Sequence, residues 1–479
     1  MVNQSKLYRM QSVSKIHFVG IGGVGMGGIA NVLLTQGYQV SGSDQASNAM
    51  TASLKTLGAE IFVGHDASHV AGAQVVVISS VITEDNPEVM QARAQKIPVI
   101  PRAQMLAEIM RFRYGISVAG AHGKTTTTSI LAQCFAEAQL DPTFVVGGLV
   151  NGVGAHARLG QGPYLIAEAD ESDGSFLRLN SMVSILTNID NDHLSAFDND
   201  FSKLKEAYVQ FLQKLPFYGL AVVCLDCPHI RDILPRVTSR CLTYGFSEDA
   251  DFCIKDYQAH DLRSTFTVHS AQLSTPLQVT LNLAGKHNAL NAVAAIVVCL
   301  QEGIEPAVLL KALATFAGVG RRLQVLGDFA FQSGVPFRVM DDYGHHPCEI
   351  KATCTAIREN YPDRRLVVVY EPHRYSRFVQ LFDDFVRVLN EVVDVLVLME
   401  IYGAGEAPVQ GADVRTLARS IRQLGRIDPI LSLTRETVLA DLPGILQPND
   451  IVLTLGAGSV TQVAHEIARV AQEAECLPT

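Results

Sequence analysis

A short apolar strand, Gly115-Ile116-Ser117-Val118, runs directly into Ala119-Gly120-Ala121-His122-Gly123-Lys124-Thr125-Thr126, and a helix-forming stretch, Thr127-Thr128-Ser129-Ile130-Leu131-Ala132, follows at once. Strand, glycine turn, Lys-Thr and helix in that order leave the backbone few choices. Glycines let amide N–H groups close around an anion, and the first helical turn adds positive partial charge. The order predicts a phosphate-binding loop, with Lys124 reaching the outer phosphates and the Thr125 hydroxyl available to a magnesium ion. The strict pattern has a glycine five residues before Gly123, where this chain has Val118, so the loop is a shortened variant.

Apolar runs on either side extend the pattern. Ile16-His17-Phe18-Val19, Tyr38-Gln39-Val40, Ile61-Phe62-Val63, Val75-Val76-Val77-Ile78 and Ile97-Pro98-Val99-Ile100 alternate with helical stretches, which predicts a parallel, doubly wound sheet. A helix from about Met105 to Arg113 leads into a second series containing Tyr164-Leu165-Ile166-Ala167 and Val183-Ser184-Ile185-Leu186. These continuous apolar runs suit strands covered on both faces. From about Arg240 to Leu283 the pattern alternates, as in Ser264-Thr265-Phe266-Thr267-Val268, and predicts a small antiparallel insert. A third βα series holds Phe337-Arg338-Val339-Met340, Leu366-Val367-Val368-Val369, Val393-Asp394-Val395-Leu396-Val397 and Ile451-Val452-Leu453-Thr454. At roughly 150 residues per domain, a chain of 479 residues divides into 1–110, 111–319 and 320–479.

Hydrophobic residues at 48% supply large cores, and a net charge of −10 provides no basic excess for nucleic acid or acidic membranes. No apolar run approaches the roughly 20 residues of a spanning helix, and the start Met1-Val2-Asn3-Gln4-Ser5-Lys6 lacks a signal-peptide core. Nine scattered cysteines, with Cys224 and Cys227 as a lone C-x-x-C, read as reduced thiols in a cytoplasmic protein.

Further elements that carry chemistry sit at predicted strand ends. Gly20-Ile21-Gly22-Gly23-Val24-Gly25 follows a strand and opens a helix, and Asp44 ends the next strand. That is a dinucleotide fingerprint, but its physics specifies only a diphosphate, so a nicotinamide dinucleotide, a UDP-sugar and a structural turn all fit. Glu168-Ala169-Asp170-Glu171-Ser172-Asp173 ends another strand. Glu168, nearest to it, is the expected magnesium carboxylate, while Asp170, Glu171 and Asp173 read as solvated. Asn188-Ile189-Asp190-Asn191-Asp192-His193 offers a second metal ligand in His193. Asn288 and Asn291, three apart at a helix start, share a face suited to an adenine edge or to helix capping. Arg321 suits phosphate charge. His345, in Asp341-Asp342-Tyr343-Gly344-His345-His346-Pro347, and His373, Arg374 and Arg377, in the stretch from Glu371, suit carboxylate and phosphate.

Taken in order, these elements resemble the Mur ligase family of ATP-dependent amide-bond-forming enzymes of peptidoglycan synthesis. The matching parts run from Gly20–Gly28 through the 120–126 loop, 168–173, Asn188 with Asp192-His193, 285–291, 320–322 and 341–347 to Pro372–Arg377. The resemblance implies a three-domain α/β architecture: a Rossmann-like first domain for a UDP substrate, a P-loop ATPase domain with a small β insert, and a Rossmann-like third domain for an amino acid. The branch it points to joins L-alanine to UDP-N-acetylmuramate, with ATP and magnesium; the branch that attaches a recycled murein tripeptide is the alternative.

Carried over by position, Asp44 and His65 would contact uracil, and Gly22, Gly23, Val24, Gly25, Met26, Ser79 and Ser80 would lie near the diphosphate. Gly120, Ala121, His122, Gly123, Lys124, Thr125 and Thr126 would hold the ATP phosphates, with Asn288, Asn291, Arg321 and Asp341 as further ATP contacts. Thr125, Glu168 and His193 would bind magnesium. His345, His373, Arg374 and Arg377 would surround the amino acid and the reacting carboxylate, with His345 a candidate proton acceptor. Monomer and dimer stay open. Three positions depart from the family's pattern: Ala121 replaces Thr, Ser195 replaces Asp, and Tyr208 stands where sister ligases carry a carbamylated lysine, so no carbamate is expected.

Overall fold

Five short runs rich in valine and isoleucine build the first sheet: β1 (Lys15–Val19), β2 (Gln39–Asp44), β3 (Glu60–Val63), β4 (Val75–Ile78) and β5 (Val99–Pro101). They pair in the order β3-β2-β1-β4-β5, all parallel, as the alternation with helices requires. The computed structural model describes residues 10, 12–79, 81–150, 155–192, 194–331 and 335–475. Two compact units share the chain. One holds the residues up to Tyr257 with Thr265–Leu281 and Leu290–Ala317; the other holds Gln258–Ser264, Asn282–Ala289 and the residues from Gly318 onward.

The second sheet contains β6 (Tyr114–Ala119), β7 (Thr143–Val150), β8 (Ala155–Arg158), β9 (Tyr164–Glu168), β10 (Val183–Leu186), β11 (Leu220–Cys224), β12 (Cys241–Gly245), β13 (Phe252–His260), β14 (Arg263–His269) and β15 (Leu277–Leu281). Its order is β15-β14-β13-β12-β11-β10-β6-β9-β7-β8. The central strand β6 lies between β9 and β10, parallel to both, with Val118 opposite Glu168 and Ala119 opposite Leu186. Chain segments leaving these three strands therefore emerge side by side at their carboxyl ends, where open α/β sheets bind ligands.

The third sheet holds β16 (Gln324–Ala330), β17 (Pro336–Asp342), β18 (Leu366–Tyr370), β19 (Val395–Leu398), β20 (Ile430–Leu431) and β21 (Asp450–Leu455), ordered β16-β17-β21-β18-β19-β20. Only β16 runs antiparallel. Leu366 and Val368 pack into one core and Val367 and Val369 into another, so β18 is covered on both faces. Each such full burial contributes about 1.5–3 kcal/mol, which is why the run reads as unbroken apolar sequence.

The insert, expected to be antiparallel from about Arg240, has a parallel start. Cys241–Gly245 pairs parallel to β11, and Phe252–Cys253 pairs parallel to β12, so this arm begins as an extension of the ATPase-like sheet. The antiparallel pair β7 and β8, and the strands β16 and β20, were not foreseen.

Candidate active site

The loop after β6 takes the predicted shape. Gly123 has φ +82° and caps the helix Lys124–Glu137, a left-handed conformation that favours glycine, and a Cβ there would collide with the Asn291 side chain. The loop is braced from β10: Asn188 Oδ1 accepts from the His122 amide at 2.8 Å, and Asn188 Nδ2 and Thr187 Oγ1 donate to the His122 carbonyl at 3.0 and 2.6 Å. His122 Nε2 lies 2.9 Å from Asp190 Oδ2. Ala121, Thr125 and Thr126 take their places in the loop and the first helical turn, the two threonines buried.

Lys124 Nζ donates to the Gly120 carbonyl at 2.6 Å and lies 2.9 Å from both carboxylate oxygens of Glu171. Burial alone would lower the ammonium's pKa, but Glu171 and Asp170 outweigh it and hold the pKa above the ordinary lysine value. Glu171, expected to be solvated, is 1% exposed. The correction has a plain cause: the carboxylate neutralises a buried ammonium, and buried charges need partners. Asp170 is also paired, accepting from Arg102 Nη2 at 3.0 Å and from the Ser172 amide at 3.0 Å. Its burial is outweighed by Lys124 and Arg102, so its pKa falls. Glu168 ends β9 as expected and accepts from the Gly147 amide at 2.7 Å.

In the first sheet the glycine turn is tied to Asp44, whose Oδ2 accepts from the Gly22 amide at 2.8 Å, while Asn48 Nδ2 donates to the Gly22 carbonyl at 3.1 Å. Gly23 caps the helix Val24–Thr35, and no side chain caps its first amides. Gly25 and Met26 lie in its first turn. Ser79 follows β4, its amide bonded to the Val19 carbonyl. His65 stands in a cluster absent from the sequence reading. Fully buried Glu88 accepts from Ser43 Oγ at 2.6 Å, with His65 Nδ1 at 3.0 Å, His69 Nδ1 at 2.7 Å and His17 Nε2 at 3.5 Å. Burial would raise the Glu88 pKa, but these hydrogen bonds prevail and push it down to about 2. Ser80 and His193 lie outside the described residues, as does the Ser195 side chain.

The second unit gathers the third-domain candidates. Arg321 Nε lies 3.3 Å from Asp341 Oδ2, and its guanidinium stands 4.8 Å from the Tyr343 ring centre. Asp341 is 1% exposed and accepts from Thr454 Oγ1 at 2.7 Å and Thr461 Oγ1 at 2.8 Å, so it anchors Arg321 from inside the fold. His345 and His373 have ring centres 5.6 Å apart, and His373 stacks on Tyr402. Arg374 opens the helix Tyr375–Gln380, and buried Arg377 places Nη1 3.5 Å from His373 Nδ1. Burial, then Arg377 and Arg374, push the His373 pKa down to about 4, so the ring is neutral near pH 7. Asn288 Nδ2 donates to the Ala284 carbonyl at 2.7 Å.

A phosphate loop, a carboxylate at the next strand end, and a separate glycine turn together define a nucleotide-using α/β enzyme. Residues 15–114 match the Mur ligase family catalytic domain, 118–299 the Mur ligase middle domain, and 321–458 the Mur ligase glutamate ligase domain. The chain belongs to the Mur ligase family. It is 54% identical to the UDP-N-acetylmuramate–L-alanine ligase of Methylococcus capsulatus over 458 residues, covering 96% of each chain. Its fold matches the crystal structure of the UDP-N-acetylmuramate–alanine ligase of Thermotoga maritima with a TM-score of 0.79 at 26% identity, over 96% of this chain and 99% of that one. A murein peptide ligase from Psychrobacter arcticus shares the fold, with a TM-score of 0.70 at 22% identity over 97% and 100% of the two chains.

Proposed function

We propose that this protein joins L-alanine to UDP-N-acetylmuramate at the expense of ATP. The observation that carries the reading is the likeness to the Methylococcus capsulatus ligase along almost the whole chain, supported by a left-handed Gly123 and Lys124 at the start of the helix that follows β6. Residues 1–110 receive the UDP substrate, 111–319 bind ATP, and 320–479 receive the amino acid, with the cytoplasm as the compartment. No helix among the described residues is long and apolar enough to cross a membrane.

The muramyl carboxylate attacks the γ-phosphorus of ATP, giving an acyl phosphate and ADP. The neutral alanine amine then adds to the acyl carbon and passes a proton to a base, for which His345 is the candidate, and the tetrahedral intermediate expels phosphate. Lys124 holds charge on the transferring phosphoryl group, so positioning and electrostatics supply most of the acceleration. The Thr125 hydroxyl and the Glu168 carboxylate are hard oxygen donors at neighbouring strand ends, a set that fits magnesium, and His193 would join them. The bound ion would neutralise phosphate charge. Asn291 lies beside the loop as a further ATP contact, and Asn288 and Arg321 carry over by resemblance alone as ATP contacts; His345, His373, Arg374 and Arg377 hold the carboxylates of the amino acid and its acceptor.

The test is phosphate release from ATP in the presence of UDP-N-acetylmuramate, with each amino acid supplied separately. Release that depends on alanine is expected; release with a murein tripeptide and not with alanine would overturn the assignment.

A further inference from the structure

Arg102 opens the helix Arg102–Met110 and lies directly over the glycine turn. A Cβ at Gly25 would collide with its Nη1, so close approach of this guanidinium requires glycine there. Arg102 lines a cleft of about 120 Å³ together with Gly25, Gly147, Glu168, Asp170 and Ser175, and it is the one cation of that lining. Among the described residues Asp170 is its one polar partner, engaged through Nη2. A guanidinium has five N–H donors arranged to grip an oxyanion in bidentate fashion. Most of them are unspent here.

A purely structural role accounts poorly for this arrangement. The Arg102 and Asp170 side chains are 28% and 37% exposed, and ion pairs at that exposure contribute about 0–1 kcal/mol. The uncapped amides at the start of the helix Val24–Thr35 border the same turn, and such amides favour anions. The cleft also holds the carboxylates of Glu168 and Asp170, so it is the amides and the guanidinium, on the glycine-turn side of the cleft, that favour an anion.

We propose that Arg102 binds an oxyanion of the sugar-nucleotide substrate, and that Asp170 holds the guanidinium over the turn until that oxyanion arrives. The oxyanion is either a phosphate oxygen of the diphosphate or the carboxylate presented for activation. The proposal rests on the reading that the first 110 residues receive a UDP-sugar. It adds a binding residue to that site.

The experiment is calorimetric titration of the full chain with UDP-N-acetylmuramate and with UDP-N-acetylglucosamine, which has the same diphosphate and no carboxylate. Arg102→Ala is expected to weaken UDP-N-acetylmuramate at least tenfold while leaving the KM for ATP within twofold of wild type. Equal weakening of both ligands assigns Arg102 to the diphosphate; weakening of UDP-N-acetylmuramate alone assigns it to the carboxylate. Arg102→Lys, a point charge without the fork, is expected to recover part of the loss. Arg102→Gln keeps the aliphatic stem and serves where the alanine variant folds poorly. Wild-type affinity for both ligands in Arg102→Ala or Arg102→Gln overturns the proposal alone. Failure of the wild-type chain to bind either ligand overturns the sugar-nucleotide reading and this proposal with it.

Discussion

The Lys124 ammonium is gripped by both carboxylate oxygens of Glu171, each at 2.9 Å, and Glu171 is 1% exposed. The loop's ammonium is thus neutralised by a carboxylate from within the fold. Replacing one member of a buried pair strands the other, at a cost of about 3–5 kcal/mol. Lys124→Ala is therefore expected to lower thermal stability as well as to abolish alanine-dependent phosphate release. Binding of UDP-N-acetylmuramate should persist within twofold by calorimetry. Wild-type turnover in this variant would refute the role assigned to Lys124.

Gly123→Ala tests the loop by its backbone. At φ +82° an added Cβ is strained by about 1–2 kcal/mol, and it also meets Asn291. The expected result is a KM for ATP raised at least tenfold, with sugar-nucleotide binding unchanged. An unchanged KM for ATP would mean that the loop relaxes without consequence for the phosphates.

Glu88 predicts a pH dependence of stability. Its carboxyl pKa is held at about 2, below the ordinary 4.5, by hydrogen bonds from His17, Ser43, His69 and His65 that outweigh burial. The folded state therefore favours the ionised form. That stabilisation is fully present above the ordinary value and fades as pH falls from about 4.5 toward about 2. Glu88→Gln should lose on the order of 3 kcal/mol at pH 7, and its deficit relative to wild type should shrink at pH 3. Urea midpoints measured at pH 7, 5 and 3 read both. A deficit that does not change with pH would place the effect in packing instead.

Tyr208 is fully buried against Phe176, and no described residue bonds to its hydroxyl. Burial raises its pKa well above the ordinary tyrosine value, so it stays a neutral phenol. Tyr208→Phe should retain turnover and keep or raise the melting temperature, since an unpaired buried hydroxyl costs about 1–3 kcal/mol. Activity should be indifferent to removal of bicarbonate, as expected where tyrosine stands at the position of the sister ligases' carbamylated lysine.

Much of this molecule was legible in its residues. Short, valine-rich apolar runs such as Leu366–Val369 read as strands covered on both faces, and the Gly-Lys-Thr turn between a strand and a helix lies at a strand's carboxyl end. Edge elements were harder. β16, with exposed Val325 and a register shift between Val325 and Gly327, has no alternation that would mark it as a strand. Glu171 escaped because an acid three residues beyond its strand resembles a solvated turn until the ammonium it neutralises is brought beside it. Glu88 escaped for a similar reason: His17, His65 and His69 reach it from separate segments, and no spacing rule links them. Arg102 sits at a helix start with nothing in its neighbours to announce a partner 68 residues away.

The adjacency of β9, β6 and β10 has an evolutionary consequence. Because side chains in a strand alternate faces, deleting one residue from any of these three would turn its terminal groups away from their neighbours. Homologues should therefore gain and lose length along the arm that begins at β12, or in surface connections, while the residue count from β6 to Lys124 and from β10 to Asn188 stays constant. Lineages of this enzyme would then diverge in outline while the spacing of these three segments holds still.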